Sequence, residues 1–286
     1  MTFATGCLAV LVLLAAALCA QPRRIVSTAP SITEMLFALG LGERVAGVTT
    51  FCHYPPEAAR LPKIGSFIQP NLEAIAALGP DLVIILKNPI ELAQKLETLR
   101  QRVLEMDHET IDGIYGSLER IAAAAGTPER ARALNGSLRA QLDEIRRRTA
   151  ARPRRRMVFL VGRTPGTLQG LVAVGRASYL NQLIEIAGGE NIFRDAVAPY
   201  PKVGFEEMLA RNPEVIVDMG DMAQTVGVTE RHKREVVALW NRYPALAAVR
   251  QGRVFAVASD IFVVPGPRMV DAAREFARML GAEAGR

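Results

Sequence analysis

Unbroken aliphatic runs alternate along this chain with stretches in which apolar residues recur every three or four positions. The first pattern marks strands buried on both faces of a parallel sheet, and the second marks helices packed against it. Strands are predicted over Arg24–Ser27, Val45–Thr49, Leu82–Leu86 and Val103–Asp107. Between them, a helix opens at Pro30-Ser31, with Ser31 as its N-cap, Glu34 at the capping-box position and Gly40 as its stop. Further helices are expected over Leu72–Leu78, closed by Gly79-Pro80, and over Ile90–Arg102.

From Ser117 to Arg148 the spacing is helical throughout, with one break at Gly126-Thr127-Pro128, where Thr127 is placed to cap the next helix. Leu134, Leu138, Leu142 and Ile145 carry its apolar stripe. The strand–helix alternation then resumes. Strands are expected at Met157–Val161, Val215–Asp218 and Val254–Ala258, and helices at Ser178–Ala187, Phe205–Arg211, Glu230–Trp240 and Pro267–Leu280. Alternation of this kind specifies an α/β fold. The organisation read from it is a lobe over 24–116, a connecting helical segment over 117–152 and a second lobe over 153–286.

The two lobes echo each other. Pro62-Lys63-Ile64-Gly65 precedes the helix beginning Leu72-Glu73, which leads through Pro80-Asp81 into Leu82-Val83-Ile84. Pro201-Lys202-Val203-Gly204 precedes the helix beginning Phe205-Glu206, which leads through Pro213-Glu214 into Val215-Ile216-Val217. The first copy has six additional residues, Ser66 to Asn71, between its Gly and its helix. Two similar lobes joined by one helix imply a cleft at their junction, a favoured place for a ligand.

The remaining features bear on where the protein works. Leu8 to Ala20 is an apolar run followed by Gln21-Pro22-Arg23-Arg24, too short to span a bilayer and read as a signal peptide over 1–20. Export to the periplasm follows from it. Cys7 and Cys19 fall in that segment and leave Cys52 as the single cysteine of the mature chain. Lipid attachment at Cys19 is the alternative, disfavoured by the bulky Leu18 before it. The formal charge of +6 has its main source in the arginines crowded between Arg146 and Arg156. No aromatic residues interleave with them, so the charge points to a solvated helix end and not to nucleic acid. No phosphate loop, no Ser-His-Asp motif and no His pair at metal spacing stands in the sequence, which argues against an enzyme and a resident metal.

Ser27-Thr28-Ala29-Pro30-Ser31-Ile32-Thr33-Glu34, His53-Tyr54-Pro55-Pro56, Asn71-Leu72-Glu73, Pro80-Asp81-Leu82-Val83-Ile84 and Ala187-Gly188-Gly189-Glu190-Asn191-Ile192-Phe193 occur in this order. Together they resemble the helical-backbone class of periplasmic binding proteins, which serve importers of cobalamin, iron-siderophores and haem. The likeness is greatest to the cobalamin binders, through Tyr54-Pro55-Pro56 and the Gly-Gly-Glu-Asn block. The resemblance implies two Rossmann-like α/β lobes joined by a long backbone helix, in a monomer that needs no cofactor and carries cobalamin as its transported ligand. It also implies docking on an ABC transporter permease dimer with its ATPase, through one carboxylate per lobe, Glu73 and Glu206. Glu207 competes for the second role. The positions matching the family's ligand pocket are Phe51, Phe67 and Ser259, Asp260, Ile261, Phe262 and Val263, with Arg163 placed to reach the same cleft. Phe67 stands where cobalamin binders often have Trp, and Ile261 likewise replaces an aromatic residue. A ferric siderophore or haem is the alternative cargo, the latter through His53.

Overall fold

The computed structural model describes residues 21–87, 92–220 and 228–281. The expected signal segment with Cys7 and Cys19, and Ile90 at the start of an expected helix, lie outside the described residues. The chain divides into two compact units, Met1–Asp107 with Tyr115–Asn135 and His108–Ile114 with Gly136–Arg286.

Unit 1 contains β1 (Ile25–Ser27), α1 (Pro30–Ala38), β2 (Val45–Val48), α2 (Pro56–Ala59), α3 (Leu72–Ala77), β3 (Leu82–Leu86), α4 (Leu92–Thr98) and β4 (Val103–Met106). The strands form one parallel sheet in the order β2-β1-β3-β4. Leu82 to Ile85 are buried, as an aliphatic run covered on both faces must be. Val26, Val83 and Ile85 pack with Ile64, Ile75 and Leu96 in the core.

Two helix starts differ from the sequence reading. Pro30 occupies the first turn of α1, so the N-cap falls on Ala29 and makes no side-chain cap, while Ser31 is buried within the helix. The ring fixes φ near its helical value and lacks the N–H that a cap would satisfy, which moves the start two residues earlier, from an N-cap at Ser31 to one at Ala29. The helical stretch divides at its expected break into α5 (Ile111–Ala124), which begins six residues before Ser117, and α6 (Pro128–Thr149). The Thr127 hydroxyl beside Pro128 is buried without a hydrogen-bond partner and does not cap α6. Of this segment, Tyr115–Asn135 packs with unit 1, and from Gly136 onward it packs with unit 2.

Unit 2 contains β5 (Arg155–Gly162), β6 (Leu171–Ala173), α7 (Tyr179–Ile186), β7 (Gly189–Asn191), β8 (Lys202–Val203), α8 (Phe205–Arg211), β9 (Val215–Asp218), α9 (Glu230–Trp240), α10 (Ala247–Arg250), β10 (Val254–Ala256) and α11 (Met269–Met279). Its sheet runs β10-β9-β5-β6-β8, with β7 beside the start of β5. The strands β10, β9, β5 and β7 are parallel, whereas β6 is antiparallel to both β5 and β8. The expected sheet is therefore mixed at one edge. Its short extra strands are below the length at which a period of two becomes visible. The ring of Phe159 on β5 meets Phe262 and Phe276 edge-on, each with centroids 5.5 Å apart.

The echoed segments occupy equivalent places. Ile25 pairs with Leu82 in unit 1, and Met157 pairs with Val215 in unit 2, each partner directly following the repeated acid. Asp81 accepts hydrogen bonds from the backbone N–H groups of Arg23 (2.7 Å) and Arg24 (3.0 Å). Glu214 accepts one from the N–H of Arg156 at 3.0 Å. In return, the Arg24 guanidinium donates to the Leu78 carbonyl at the end of α3, and that of Arg156 to the Arg211 carbonyl at the end of α8. Each arginine thus caps the carbonyl end of a helix while the acid closes the start of the adjacent strand pair.

Candidate functional site

In a parallel α/β sheet, ligand-binding groups gather at the carboxyl ends of the strands. In unit 1 those ends carry Phe51, which follows β2 and is 54% exposed, and Tyr54, 45% exposed. Phe67 and Ile68 lie in the six residues added between Gly65 and α3, and Ile68 is 71% exposed. The turn into this loop requires glycine. Gly65 has φ +89°, and a Cβ there would lie 2.7 Å from the Gln69 carbonyl oxygen. Gly204, its counterpart in unit 2, has an ordinary backbone conformation and open space beside it. Four large apolar side chains held in solvent on one short stretch of sheet edge mark a contact surface. Of these, Tyr54 was read from sequence only as part of a family motif and Ile68 was not singled out, so neither was assigned to the pocket. The signal for Ile68 was available in the insertion that breaks the repeat.

Beneath that edge hydroxyls and a thiol are hydrogen-bonded together. Ser27 Oγ shares a hydrogen bond with Thr33 Oγ1 at 2.8 Å, and Thr33 and Thr49 hydroxyls lie 3.2 and 3.1 Å from the Cys52 sulfur. Cys52 is a free, buried thiol. His53 and Tyr54 beside it are exposed.

In unit 2 the corresponding end is ionic. Arg163 Nε lies 3.0 Å from Asp218 Oδ2, and the side chains are 4% and 0% exposed. Asp218 also accepts from Trp240 Nε1 at 2.7 Å and from the Gly220 N–H at 2.6 Å. The second arm of Arg163 donates to the Thr164 and Thr167 carbonyls. This corrects the expectation that Arg163 reaches out to a ligand, because its guanidinium is spent on holding the loop that follows β5. A buried carboxylate must be paired and hydrogen-bonded, and this one has both.

The segment Ser259 to Val263 is a short turn after β10. Ser259, Asp260, Ile261 and Val263 are half-buried, and Asp260–Phe262 forms a single 3-10 turn. Phe262 is corrected as well: it is 2% exposed and belongs to the aromatic core with Phe159 and Phe276. A concavity of about 450 Å³ in unit 2 runs along β10 against α9 and includes none of these residues.

Glu73 and Glu206 occupy the same position in their helices, the second residue after the N-cap. Both are exposed. Neither has an ion pair among the described residues, which leaves each carboxylate available while the helix dipole favours its charge. Glu207 is different. It is bound to Arg211 at 2.8 Å, and that guanidinium also grips Asp195 with two bonds and lies 4.7 Å from the Phe193 ring centroid. The hydrogen bond from Arg211 holds the Asp195 carboxyl below its ordinary pKa. Among the described residues no group of three or more His, Cys, Asp or Glu is placed to hold a metal ion. No helix among them is long and apolar enough to cross a membrane.

The chain is 32% identical over 286 residues to the vitamin B12-binding protein of Pectobacterium atrosepticum, covering 98% of this chain and 96% of that one. Its fold matches the crystal structure of the periplasmic vitamin B12-binding protein BtuF of Vibrio cholerae with a TM-score of 0.75 and 26% identity, covering 93% of this chain and 99% of that one. A periplasmic haem-binding protein, RhuT of Roseiflexus sp. RS-1, matches with a TM-score of 0.73 and 27% identity over 90% of this chain and 99% of that one. The model of the periplasmic binding protein family matches residues 25–261, and the chain belongs to that family.

Proposed function

We propose that this chain is the exported solute-binding component of an ABC importer, and that it captures a corrinoid and hands it to the membrane permease. The observation that carries the cargo is the 32% identity to a vitamin B12-binding protein, sustained across 98% of the chain. The exposed rings of Phe51, Tyr54 and Phe67 support it, because a corrinoid offers broad apolar faces to stack against and amide edges for polar groups. In this reading unit 2 contributes the half-buried turn Ser259, Asp260, Ile261 and Val263. The lobes are 24–116 and 153–286, with 117–152 as their covalent connection. Glu73 and Glu206 are the carboxylates offered to permease arginines, where charge-assisted pairs are directional and strong. The protein acts as a monomer and needs no cofactor.

One observation favours a second cargo. His53 and Tyr54 stand exposed beside Phe51, and either side chain is a suitable axial ligand for haem iron. Calorimetric titration of the mature protein with cyanocobalamin and with haem separates the two. The corrinoid is expected to bind with sub-micromolar affinity, and haem to bind at least tenfold more weakly. Haem binding with a shifted Soret band, together with no heat from cyanocobalamin at about 10 μM, transfers the assignment to haem.

A further inference from the structure

Unit 2 holds a concavity of about 360 Å³ that the ligand reading leaves unused. Leu168, Leu239, Phe205 and Tyr243 supply its apolar lining, and Arg242 lines it too. Phe205 and Tyr243 pack ring to ring with centroids 4.4 Å apart, and Phe205 lies 6.2 Å from Trp240. Trp240 is fixed to Asp218, and Arg163 grips the carbonyls of Thr164 and Thr167 in the loop that carries Leu168. The concavity is therefore formed in advance, and an occupant need not order it. Its volume stands at the small end of the range for ligand pockets, about 300–1,000 Å³, and suits an amino-acid side chain better than a corrinoid.

One charge in its lining and one beside it in the chain set what comes with that side chain. Phe205 is the first residue of α8, and the next residue is the unpaired Glu206. Arg242 is exposed, and no ion pair engages it among the described residues. Arg242 thus lines the apolar recess, and Glu206 directly follows one of its lining residues in the chain.

We propose that this recess is a socket for an apolar side chain of the permease, presented on a segment with a basic residue for Glu206 and an acidic residue for Arg242. The proposal rests on the docking reading above. In unit 1, Leu72 stands where Phe205 stands in unit 2; both are partly buried against their own cores, and what Phe205 adds is the ring of Tyr243 packed against it at the recess. The foot at Glu206 is consequently the one that fixes register on the transporter, through an apolar contact that a carboxylate alone cannot supply.

The test measures the affinity of the mature protein for its permease–ATPase complex in nanodiscs, beside its affinity for cyanocobalamin. Arg242→Glu and Tyr243→Ala are each expected to weaken the complex by about tenfold, with ligand affinity unchanged, and Arg242→Lys to restore most of the loss. Wild-type complex affinity in both Arg242→Glu and Tyr243→Ala overturns the socket. Arg242 is exposed, so its variants decide the matter should Tyr243→Ala unfold. Glu73→Ala and Glu206→Ala, measured in parallel, keep the two readings apart. If they weaken the complex and the socket variants do not, docking stands and the socket falls. If only the socket variants weaken it, the carboxylate feet fall and the socket stands.

Discussion

On β3 the chain buries Ile85, and at the equivalent position on β9 it buries Asp218. Both residues follow the repeated acid by four positions, and both strands pair with their lobe's first strand in the same register. One lobe fills the place with an aliphatic side chain packed among Val26, Ile64, Ile75 and Val83. The other fills it with a carboxylate that takes bonds from Arg163, Trp240 and the Gly220 backbone. The comparison teaches that the two sheet ends have been specialised differently on a shared frame. Unit 1 leaves an edge on which exposed rings stand. Unit 2 uses a buried ion pair to fix a loop, and that loop helps to form the recess beside Glu206.

The largest effect is expected where this difference is broken from one side. Asp218→Ile leaves the Arg163 guanidinium buried and unpaired, and should cost unit 2 about 3–5 kcal/mol in urea denaturation. Trp240 is the chain's single tryptophan and lies on the network, so its fluorescence reports unit 2 directly. Converting both partners with Arg163→Leu and Asp218→Ile makes the site like that of unit 1 and should recover most of the loss. A double variant as unstable as the single one would mean that the pair is not the source of the cost.

A smaller effect sharpens the shared part of the frame. Asp81 takes two backbone N–H groups and Glu214 takes one, all of them near solvent, where water replaces much of what is lost. Asp81→Ala should therefore cost about 1 kcal/mol and Glu214→Ala about half of that. Equal or reversed losses would contradict the ordering drawn from two bonds at Asp81 against one at Glu214.

Most of this frame was legible in the sequence, and the parts that were not share a physical cause. The aliphatic runs of β3 and β9 and the stops at Gly79 and Gly188 read directly, because burial and positive φ leave strong local marks. The repeat located Glu73 and Glu206 at matching helix starts. What escaped depends on partners distant in sequence. Arg163 looks available until Asp218, 55 residues away, is placed against it. Phe262 looks like a pocket wall until Phe159 and Phe276 close around it. The capping roles of Ser31 and Thr127 failed more locally: Pro30 starts α1 ahead of Ser31, and the Thr127 hydroxyl, at the expected start of α6, is buried without a hydrogen-bond partner.

The central claim is that a corrinoid is captured and then delivered from two carboxylate feet. It is tested most directly by ATP-dependent uptake of labelled cyanocobalamin into proteoliposomes holding the permease–ATPase complex. The account predicts uptake with the wild-type protein, and at least a tenfold loss with Glu73→Ala combined with Glu206→Ala, while that variant binds cyanocobalamin as tightly as before. Undiminished uptake by the double variant, or no uptake with the wild-type protein, would contradict it.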